Sequence, residues 1–575
     1  MSRELVFTDE QRALISADKS LYVEACPGAG KTQAVVQRFI EHAGTEPRRG
    51  VGLVSFTNAV IDEARVRCVG RPDLLAPPNF TGTLDSFINR FIVGPVFTSR
   101  TGVAPTFRSS WQQVAGAVVA VQGVRGQFPM DWFRFSDQAA QLDVAVVPGE
   151  RRYGVKALTS WQRRKVEDEA HRRWKVYLAN GVMDATSARG LMRSYLAEQA
   201  TREQLAEIMS ARFFEIIVDE VQDCCDEDVQ LLDFLMQSGV RLVLVGDPDQ
   251  AIYGFRGASS ADLDAVRQAV TTGRRLDGNF RSTPAICRAV DSLRAGPATD
   301  VAIGPNTAVP HPVVVLRYVQ ERAVRQQLEA VVRSYGYDTD QLVILAHATT
   351  KARQCAGGAA QSGSSESKLV QLAMLIHEVR NEPQSGRLRR NALSMLGGQL
   401  LRLAPGGDSD APDPNLVEMF GLSARDFRER CLRLAAAVGN PFAGTPGEFK
   451  QRLGVVLQGL DFGQIRLSGL RTPPGNAWPV QPASDASALP YATVHNYKGL
   501  QQAVVALVLP EQRAADEDDG VRAWCSGRRS EARNVVYVGA SRAEQLLILV
   551  VHESVAGDVE AVLSRDAVPF SVRDG

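Results

Sequence analysis

The chain has 575 residues and a mass of 62.5 kDa, and its 65 basic side chains are matched by 65 acidic ones. This length is enough for about four domains or subdomains, and the mixed composition excludes a disordered or fibrous protein. A net charge of zero excludes a uniformly basic nucleic-acid-binding surface. It still allows a local groove lined by aromatic or basic side chains.

The sequence carries no targeting or membrane signal. Its start, MSRELVFTDEQR, lacks the apolar stretch of a secretory leader, and no run of about 18 apolar residues occurs in the chain. The 8 cysteines include no CxxC pair, which argues against a zinc ribbon or an iron–sulfur cluster. We therefore predict a soluble cytoplasmic protein with reduced thiols and no membrane partner.

Short apolar runs alternate with amphipathic stretches in the first part of the chain, which is the rhythm of a parallel α/β sheet. The predicted strands of this first core are LYVEA (21–25), GLVSF (52–56), NFTGT (79–83), FFEIIVDE (213–220) and RLVLVGD (241–247). The region between them is helical in character and includes the basic patch WQRRKVEDEAHRRWKVY (161–177). We predict that residues 1–90 and 196–275 form the first core and that residues 91–195 form a helical insertion in it.

A second group of apolar runs predicts a second α/β core in residues 276–354 and 489–575. Its predicted strands are HPVVVLRYV (311–319), QLVILAH (341–347), AVVALVLP (503–510) and EQLLILVV (544–551). Gly/Ser-rich CAGGAAQSGSSES (355–367) and Pro-rich RTPPGNAWPVQPASDASALP (471–490) bracket a mostly helical stretch. Residues 355–488 are therefore predicted to form a second, short insertion.

The segment EACPGAGKT (24–32) follows a predicted strand and precedes a helical pattern, which is the context of a phosphate-binding loop. Its glycines allow the tight backbone that points amides at phosphate groups. Lys31 would reach the β- and γ-phosphates of a nucleotide, and the Thr32 hydroxyl would ligate Mg²⁺. Ala25 stands where the strict pattern has its first glycine. The predicted nucleotide-binding residues of this loop are Gly28, Ala29, Gly30, Lys31, Thr32 and Gln33.

The segment IIVDEVQD (216–223) is an apolar strand that ends in two adjacent carboxylates. Asp219 would hold Mg²⁺ through its waters, and Glu220 would polarise the attacking water. Together with the phosphate-binding loop, this pair predicts nucleotide hydrolysis. The two motifs do not indicate what the hydrolysis drives.

The remaining motifs occur in an order that resembles the UvrD/Rep/PcrA family of superfamily 1 DNA helicases, with matches from Gln11 to Arg542. They are FTDEQRALI (7–15), VSFTNAVIDEAR (54–65), GTLDSFINRFI (82–92), VGDPDQAIYGFRGA (245–258), NFRST (279–283), TVHNYKGL (493–500) and EARNVVYVGASRA (531–543). The resemblance implies an α/β fold with two RecA-like parallel-sheet cores, each interrupted by a mostly helical insertion.

The resemblance also implies that ATP is hydrolysed between the two cores. Arg281 and Arg542 of the second core would stabilise charge on the transferred phosphoryl group, and Gln250 would sense the γ-phosphate. The implied catalytic residues are Lys31, Asp219, Glu220, Gln250, Arg281 and Arg542. Positions that contact the nucleotide in the family correspond here to Gln11, Phe280 and Gly499.

A track for single-stranded DNA is implied by further motif positions. Phe56, Tyr253 and Phe255 stand where the family stacks aromatic side chains on bases, which suits a protein without net positive charge. Contacts with the DNA backbone are predicted at Thr57, Asn58, Thr83, His495 and Lys498.

Three departures from the family pattern concern function. Asp85 replaces the histidine common in the family's TxHSF motif, and Gln501 replaces a glutamate thought to reach the ribose. The segment LLILVVHESVAGDVEAVL (546–563) has no aromatic residue and little room for the strand-separating hairpin that many relatives place after the last arginine. The motifs therefore support ATP hydrolysis and translocation more strongly than strand separation.

The leading prediction is an ATP-dependent translocase or helicase that uses ATP and Mg²⁺ and acts on single-stranded or tailed DNA, 3′ to 5′ as the resemblance implies. The alternative is a DNA-activated ATPase sensor that regulates a separate nuclease subunit, because the strand-separating hairpin is missing and the second insertion is short. The compact layout, with its EACPGAGKT loop, also resembles helicase-like subunits of Gabija-type anti-phage systems. A P-loop kinase of small metabolites would leave the arginine motifs unexplained. The sequence leaves open whether the pathway is DNA repair or antiviral defence.

Overall fold

The computed structural model describes residues 6–56, 58–111, 114, 117–144, 146–147, 149–252, 260–296, 299–358, 368–380, 392–393, 396–400, 403, 424–460, 462, 465, 467, 470, 472, 478, 489–511 and 519–574. These residues contain two six-stranded parallel sheets, with helices between consecutive strands. The fold is α/β, and the two sheets are the two RecA-like cores.

The elements alternate along the chain in the manner of βαβ units. The strands are β1 (Leu21–Glu24), β2 (Gly50–Ser55), β3 (Phe80–Thr83), β4 (Thr106–Arg108), β5 (Val118–Val119), β6 (Phe128–Pro129), β7 (Phe133–Phe135), β8 (Ala140–Leu142), β9 (Val182–Asp184), β10 (Phe213–Asp219), β11 (Arg241–Gly246), β12 (Thr271–Thr272), β13 (Gly278–Asn279), β14 (Val301–Ala302), β15 (Val313–Tyr318), β16 (Leu342–Ala346), β17 (Tyr491–Thr493), β18 (Gln502–Val508), β19 (Ala543–His552) and β20 (Phe570–Arg573). The α-helices are α1 (Asp9–Ser16), α2 (Lys31–His42), α3 (Asn58–Arg67), α4 (Leu84–Ile88), α5 (Gly94–Thr101), α6 (Gly149–Lys156), α7 (Ser160–Ala179), α8 (Ala185–Ala197), α9 (Gln199–Arg212), α10 (Asp226–Gln237), α11 (Ser260–Ala269), α12 (Pro284–Ser292), α13 (Glu321–Ser334), α14 (Thr349–Cys355), α15 (Lys368–Arg380), α16 (Ala424–Val438), α17 (Pro446–Gly459), α18 (Val494–Tyr497), α19 (Gly520–Ser526), α20 (Glu531–Ala540) and α21 (Glu553–Arg565).

The first sheet has the strand order β12–β1–β11–β10–β2–β3, and every neighbouring pair is parallel. Every residue of the mostly apolar strand β10, FFEIIVD, is buried, because a central parallel strand is covered on both faces of the sheet. The carboxyl ends of the strands meet at one edge of the sheet, where open α/β sheets bind their ligands.

The second sheet has the order β17–β16–β18–β19–β15–β20 and is also parallel throughout. Helices α12 and α20 pack on it in one hydrophobic cluster that includes Trp524 and Tyr537. All the predicted strands of both cores form strands, with ends that shift by at most two residues. The sequence analysis did not predict β12, β17 or β20.

The chain forms two compact units. The first comprises Met1–Ile88, Arg193–Gly358 and Ser487–Gly575 and contains both six-stranded sheets. The second comprises Asn89–Met192 and Ala359–Ala486.

In the second unit, the first inserted segment folds around buried aromatic side chains. Helix α7 begins with a capping box at Thr159 and buries Val166, Ala170 and Trp174, which share one helix face at four-residue spacing. The Trp174 ring stacks on Phe135 with 5.5 Å between centroids. The two-stranded ladders β4–β9, β5–β6 and β7–β8 add β-structure that the prediction of a helical insertion did not include.

In the second inserted segment, α15, α16 and α17 pack against one another around a separate cluster that includes Phe427 and Phe449.

Among the described residues of the chain, no helix combines the length and apolarity needed to cross a membrane.

Candidate nucleotide site

The loop between β1 and α2 has the backbone conformation that its glycines allow. Gly28 and Gly30 have φ of +75° and +69°, in the left-handed region that favours glycine. A Cβ on Gly28 would lie 2.6 Å from Asn279 Oδ1 and 2.7 Å from Arg281 Cβ, so this position also requires the absence of a side chain. Gly30 is the N-cap of α2, so the positive end of the helix dipole lies at the loop.

The carboxylate pair lies at the end of β10, as the sequence predicts. Asp219 is its last residue, and Asp219 Oδ1 is buried without a hydrogen-bond partner among the residues that the structure describes. Glu220 follows with φ of +57°, a conformation that costs a non-glycine residue about 1–2 kcal/mol. The amide of Gln222 donates a hydrogen bond to Glu220 Oε2. A strained, largely enclosed carboxylate held in this way is typical of a functional site.

Lys31 extends toward the same carboxylates. Its Nζ lies 3.5 Å from Glu220 Oε1 and has no hydrogen-bond partner in the described part of the chain. Burial alone would lower the pKa of Lys31, but the charges of Glu220, Asp247 and Asp219 raise it overall. The ammonium group therefore stays charged, with its hydrogen-bonding capacity unused.

The two carboxyl groups of the pair have pKa values shifted in opposite directions. Burial, together with the charge of Glu220, raises the pKa of Asp219. Burial alone would raise the pKa of Glu220 as well. The charges of Lys31 and Lys498 outweigh the effect of burial, so the pKa of Glu220 is lowered overall. A divalent cation beside Asp219 would favour its ionised form, because an opposite charge within a few ångströms stabilises a carboxylate.

Two arginines come from the second core, Arg542 buried and Arg281 partly exposed. Arg542 Nε donates to Val538 O at 3.0 Å, and its Nη2 donates to Gln250 Oε1 at 3.2 Å. Arg281 Nε donates to Gln501 Oε1 at 2.8 Å. Burial, followed by the neighbouring Arg281, lowers the pKa of Arg542 to about 9, so this guanidinium is still a cation at neutral pH.

Gln250 joins the two cores at this point. It follows β11, and its Nε2 donates to Asp247 Oδ2 at 2.9 Å. The hydroxyl of Tyr537, on α20, donates to the same oxygen at 2.8 Å. The Gln250 side chain is therefore hydrogen-bonded at both ends, to Asp247 in the first core and to Arg542 in the second.

These groups surround one cavity of about 840 Å³, which falls in the range of ligand sites. The cavity lies within the first compact unit and is lined from both sheets. Its lining residues are Pro27, Gly28, Ala29, Gly30, Lys31, Thr32, Gln33, Phe56, Ala59, Val60, Asp219, Glu220, Asp223, Gln250, Phe280, Arg281, Pro305, Asn306, Lys498, Gly499, Gln501, Arg542, Glu544 and Gln545.

The unpartnered buried atoms match the chemistry of a magnesium–nucleotide. Lys31 Nζ offers hydrogen-bond donors to phosphate oxygens, and Asp219 Oδ1 offers an acceptor to a hydrated cation. Thr32 lines the same cavity. Mg²⁺ is commonly held by one or two protein ligands plus substrate phosphates and water, which this pair of residues can supply.

Gln11, a predicted nucleotide contact, hydrogen-bonds the loop and does not line the cavity. Its Nε2 donates to Ala29 O at 2.8 Å, and its Oε1 accepts from Thr8 N at 2.9 Å. Phe280 and Gly499, the other predicted nucleotide contacts outside the loop, do line it.

The predicted DNA contacts are dispersed. Phe56 and Lys498 line the nucleotide cavity, and Lys498 Nζ lies within 2.8 Å of both Asp223 carboxylate oxygens. Thr83 accepts from Ser86 N and so caps α4. His495 contacts Ile252 O through its Nε2 at 3.2 Å. Thr57, Tyr253, Phe255 and the side chain of Asn58 lie outside the described residues.

Sequence reasoning missed three side chains of this site. Asp223 and Asp247 lie inside the quoted motifs VDEVQD and VGDPDQ, and Tyr537 lies inside EARNVVYVGASRA. The available signal was that each is a polar residue within a functional motif. The pairing of Asp247 with Tyr537 spans 290 residues and leaves no local pattern in the sequence.

The two parallel sheets and the cavity between their loops define a phosphate-loop α/β protein with two RecA-like cores. Residues 7–112 and 151–271 match the UvrD/REP helicase N-terminal domain. The chain is 26% identical to YjcD of Bacillus subtilis (strain 168) over 349 residues, which are 58% of this chain and 42% of that protein. It is 25% identical to the ATP-dependent DNA helicase UvrD1 of Mycobacterium tuberculosis (strain ATCC 25618 / H37Rv) over 311 residues, 50% of this chain and 38% of the relative.

A third similarity, 33% identity over 102 residues, is to the RecBCD enzyme subunit RecB of Escherichia coli (strain K12), and it covers 17% of this chain and 9% of that protein. The matched regions thus span less than half of the length of these relatives. Over the regions that match, the chain is thus similar to UvrD/Rep-like helicases.

Proposed function

We propose that the chain hydrolyses ATP in this cavity and uses the cycle to move along single-stranded DNA, as an ATP-dependent translocase or helicase. One observation carries the proposal: Lys31 Nζ and Asp219 Oδ1 are both buried without hydrogen-bond partners in the described structure, beside a cavity that Arg281 and Arg542 also line. Leaving such groups unsatisfied is costly in a folded protein unless a ligand completes the site.

Each group has a role in the proposed reaction. The loop amides, the α2 N-terminus and Lys31 bind the phosphates, and Mg²⁺, when bound near Thr32 and Asp219, neutralises phosphate charge. Glu220, which is ionised because its pKa is lowered, orients a water molecule and accepts its proton. Arg542 and Arg281 stabilise the charge that develops on the transferred group.

Hydrolysis is coupled to movement because these side chains come from two different cores. The loop and the carboxylates belong to the first sheet, whereas the arginines belong to the second. A nucleotide that contacts both sets favours the arrangement in which they converge, and loss of the γ-phosphate removes that preference.

The first inserted segment offers a surface suited to a nucleic-acid strand. Trp161 is 57% exposed near the start of α7, and the Lys165 ammonium lies 4.3 Å from the centre of its ring. Tyr153 on α6 is 84% exposed, and Lys156 and Arg164 are exposed as well. Exposed aromatic rings interleaved with cations bind single strands through stacking and backbone attraction. The proposed 3′-to-5′ direction rests on the family resemblance alone.

The test is steady-state ATP hydrolysis with and without single-stranded DNA, run beside unwinding of a tailed duplex. We expect strong stimulation by DNA, and we expect Glu220→Gln to lower kcat at least about 100-fold while ATP still binds. Glu227→Gln, which changes a carboxylate on α10 away from the cavity, is the matched control. Turnover by Glu220→Gln equal to that of the wild type would refute the assignment of this cavity.

A second function, a DNA-activated ATPase that regulates a separate nuclease, is favoured by one structural observation. The chain runs from Arg542 directly into β19, and the described residues 543–574 form β19, α21 and β20, with no hairpin among them that could part a duplex. Stimulation of ATP hydrolysis by DNA without unwinding would favour this function. Efficient unwinding by the purified chain alone would exclude it.

A further inference from the structure

Tyr537 links the two cores through one buried hydrogen bond. It lies on α20 in the hydrophobic cluster of the second sheet and is 0% exposed. Its hydroxyl donates to Asp247 Oδ2 at 2.8 Å. Asp247, also fully buried, directly follows β11 of the first sheet. Burial and the charge of Asp247 raise the pKa of Tyr537 well above its usual value, so the phenol keeps the proton that it donates.

Asp247 in turn fixes the amide of Gln250. Asp247 Oδ2 accepts from Gln250 Nε2 at 2.9 Å, which leaves Gln250 Oε1 toward Arg542 Nη2 at 3.2 Å. An amide rotated by half a turn would bring its oxygen against the Asp247 carboxylate and its NH₂ against the guanidinium. Both of those contacts are repulsive, so Asp247 selects one orientation.

Two further contacts hold Asp247 itself. The buried Arg294 lies 3.5 Å from Asp247 Oδ1 and provides the positive charge that a buried carboxylate needs. The backbone N–H of Asp247 donates to Gln222 Oε1 at 3.0 Å, and Gln222 donates to Glu220. Asp247 therefore contacts Gln250 directly and the carboxylate pair through one side chain.

We propose that Tyr537 is a positioning residue for ATP hydrolysis, acting through Asp247 to hold the Gln250 amide in its working orientation. The inference rests on the proposed function of the cavity. Because the hydroxyl belongs to the second core and the carboxylate to the first, the hydrogen bond forms only when the two cores are in this arrangement. Tyr537 thus makes the orientation of Gln250 depend on the arrangement of the cores.

The test is the variant Tyr537→Phe, which removes only the hydroxyl and keeps the ring in its cluster. We expect kcat for ATP to fall about tenfold with KM changed less than about twofold, as for the loss of one hydrogen bond to a charged group. Tyr318→Phe is the matched control, because Tyr318 is equally buried in the same unit and its hydroxyl donates to Glu511 at 3.2 Å. That variant should keep the wild-type kcat.

A double-mutant cycle separates positioning from a general structural effect. In a Gln250→Ala background, Tyr537→Phe should lower kcat no further, because the side chain through which it acts is gone. An equal loss of kcat in both backgrounds would overturn the proposal, as would a wild-type kcat for Tyr537→Phe. Should Tyr537→Phe not fold, Asp247→Asn tests the same pair of hydrogen bonds with the same expected loss and the same cycle. An inactive wild type would refute the proposed function itself, whereas an active wild type matched by Tyr537→Phe would refute this inference alone.

Discussion

The ammonium of Lys498 lies 2.8 and 2.7 Å from the two carboxylate oxygens of Asp223 and 3.1 Å from the carbonyl oxygen of Gln250. Lys498 follows α18 in the second core, and Asp223 follows β10 in the first. Their side chains are only 8% and 2% exposed. A residue that the sequence predicts to contact DNA is thus half of a buried ion pair at the wall of the nucleotide cavity.

Lys498→Met should impair ATP use rather than DNA binding. Loss of the Lys498 ammonium would remove a positive charge that Asp223 contacts beside Asp219 and Glu220, where phosphates are proposed to bind. We expect KM for ATP to rise about tenfold, equivalent to about 1.4 kcal/mol, and single-stranded DNA affinity without nucleotide to stay unchanged. Lys351→Met, which removes a lysine paired with Glu321 at 2.6 Å elsewhere in the second core, is the control. A weaker DNA affinity with a salt slope reduced by about one would instead support the predicted DNA contact.

Arg542→Ala should lower kcat by about 10³-fold or more, with a much smaller loss of ATP binding. A guanidinium that stabilises charge on the transferred phosphoryl group contributes mainly in the transition state. The measurement is kcat together with the affinity for a non-hydrolysable ATP analogue. Arg565→Ala, which removes an exposed arginine paired with Asp566, should leave both quantities unchanged. Equal losses of kcat and of binding would indicate that Arg542 contributes to ground-state binding instead.

Gly28→Ala and Gly44→Ala should separate backbone strain from the shape of the loop. Both glycines have left-handed φ, +75° and +88°, but a Cβ would meet Asn279 and Arg281 at Gly28 and nothing within 4 Å at Gly44. We expect Gly44→Ala to lower the free energy of unfolding by about 1 kcal/mol and to leave ATP turnover intact. Gly28→Ala should destabilise further and raise KM for ATP. Wild-type ATP kinetics in Gly28→Ala would show that the close approach to Arg281 is dispensable.

Glu215→Gln should reduce stability in a pH-dependent way. Burial alone would raise the pKa of Glu215. The hydrogen bonds from His42 and Arg38, together with the charges of these two residues, outweigh burial and lower the pKa from 4.5 to about 2. Because the folded-state pKa is the lower one, the ionised group stabilises the fold above about pH 4.5, and this contribution is lost as the pH falls toward 2. The shift corresponds to about 3 kcal/mol at neutral pH.

The measurement is urea unfolding of the wild type and Glu215→Gln between pH 7 and pH 3. The difference in unfolding free energy should be largest at pH 7 and should shrink below about pH 4.5. Glu46→Gln, at a half-exposed pair with Arg49, should show a difference below about 1 kcal/mol at every pH. A difference for Glu215→Gln that does not vary with pH would contradict the ionic origin of the effect.

The sequence predicted the central strands of both sheets because buried parallel strands are mostly apolar runs. FFEIIVD and AEQLLILVVH are such runs, and they became β10 and β19. The sequence did not predict β12, because this strand has only two residues, Thr271 and Thr272, and both are polar and exposed. The short ladders of the first insertion escaped prediction for the same reason, since two or three residues show no periodicity.

The phosphate loop and the carboxylate pair could be predicted because each is local, a glycine pattern after a strand and two acids at a strand end. The individual side-chain pairings between the two cores could not. Arg542 meets Gln250 across 292 residues and Lys498 meets Asp223 across 275, so only the folded chain brings them together. The same holds for Gln11, whose position in its motif did not indicate that its amide would support the backbone of the loop.

The short stretch 276–280 has the phosphate loop as its immediate neighbour. Leu276 N donates to Glu24 O, Cys26 N donates to Leu276 O, and Phe280 N donates to Gly28 O, all within 3.0 Å. A split version of this protein, made as two polypeptides divided at residue 275, would therefore leave the loop without backbone partners on one side. Dividing the polypeptide beyond Arg281 instead would keep those three hydrogen bonds within one fragment, so engineered halves should reassemble more readily from that second design.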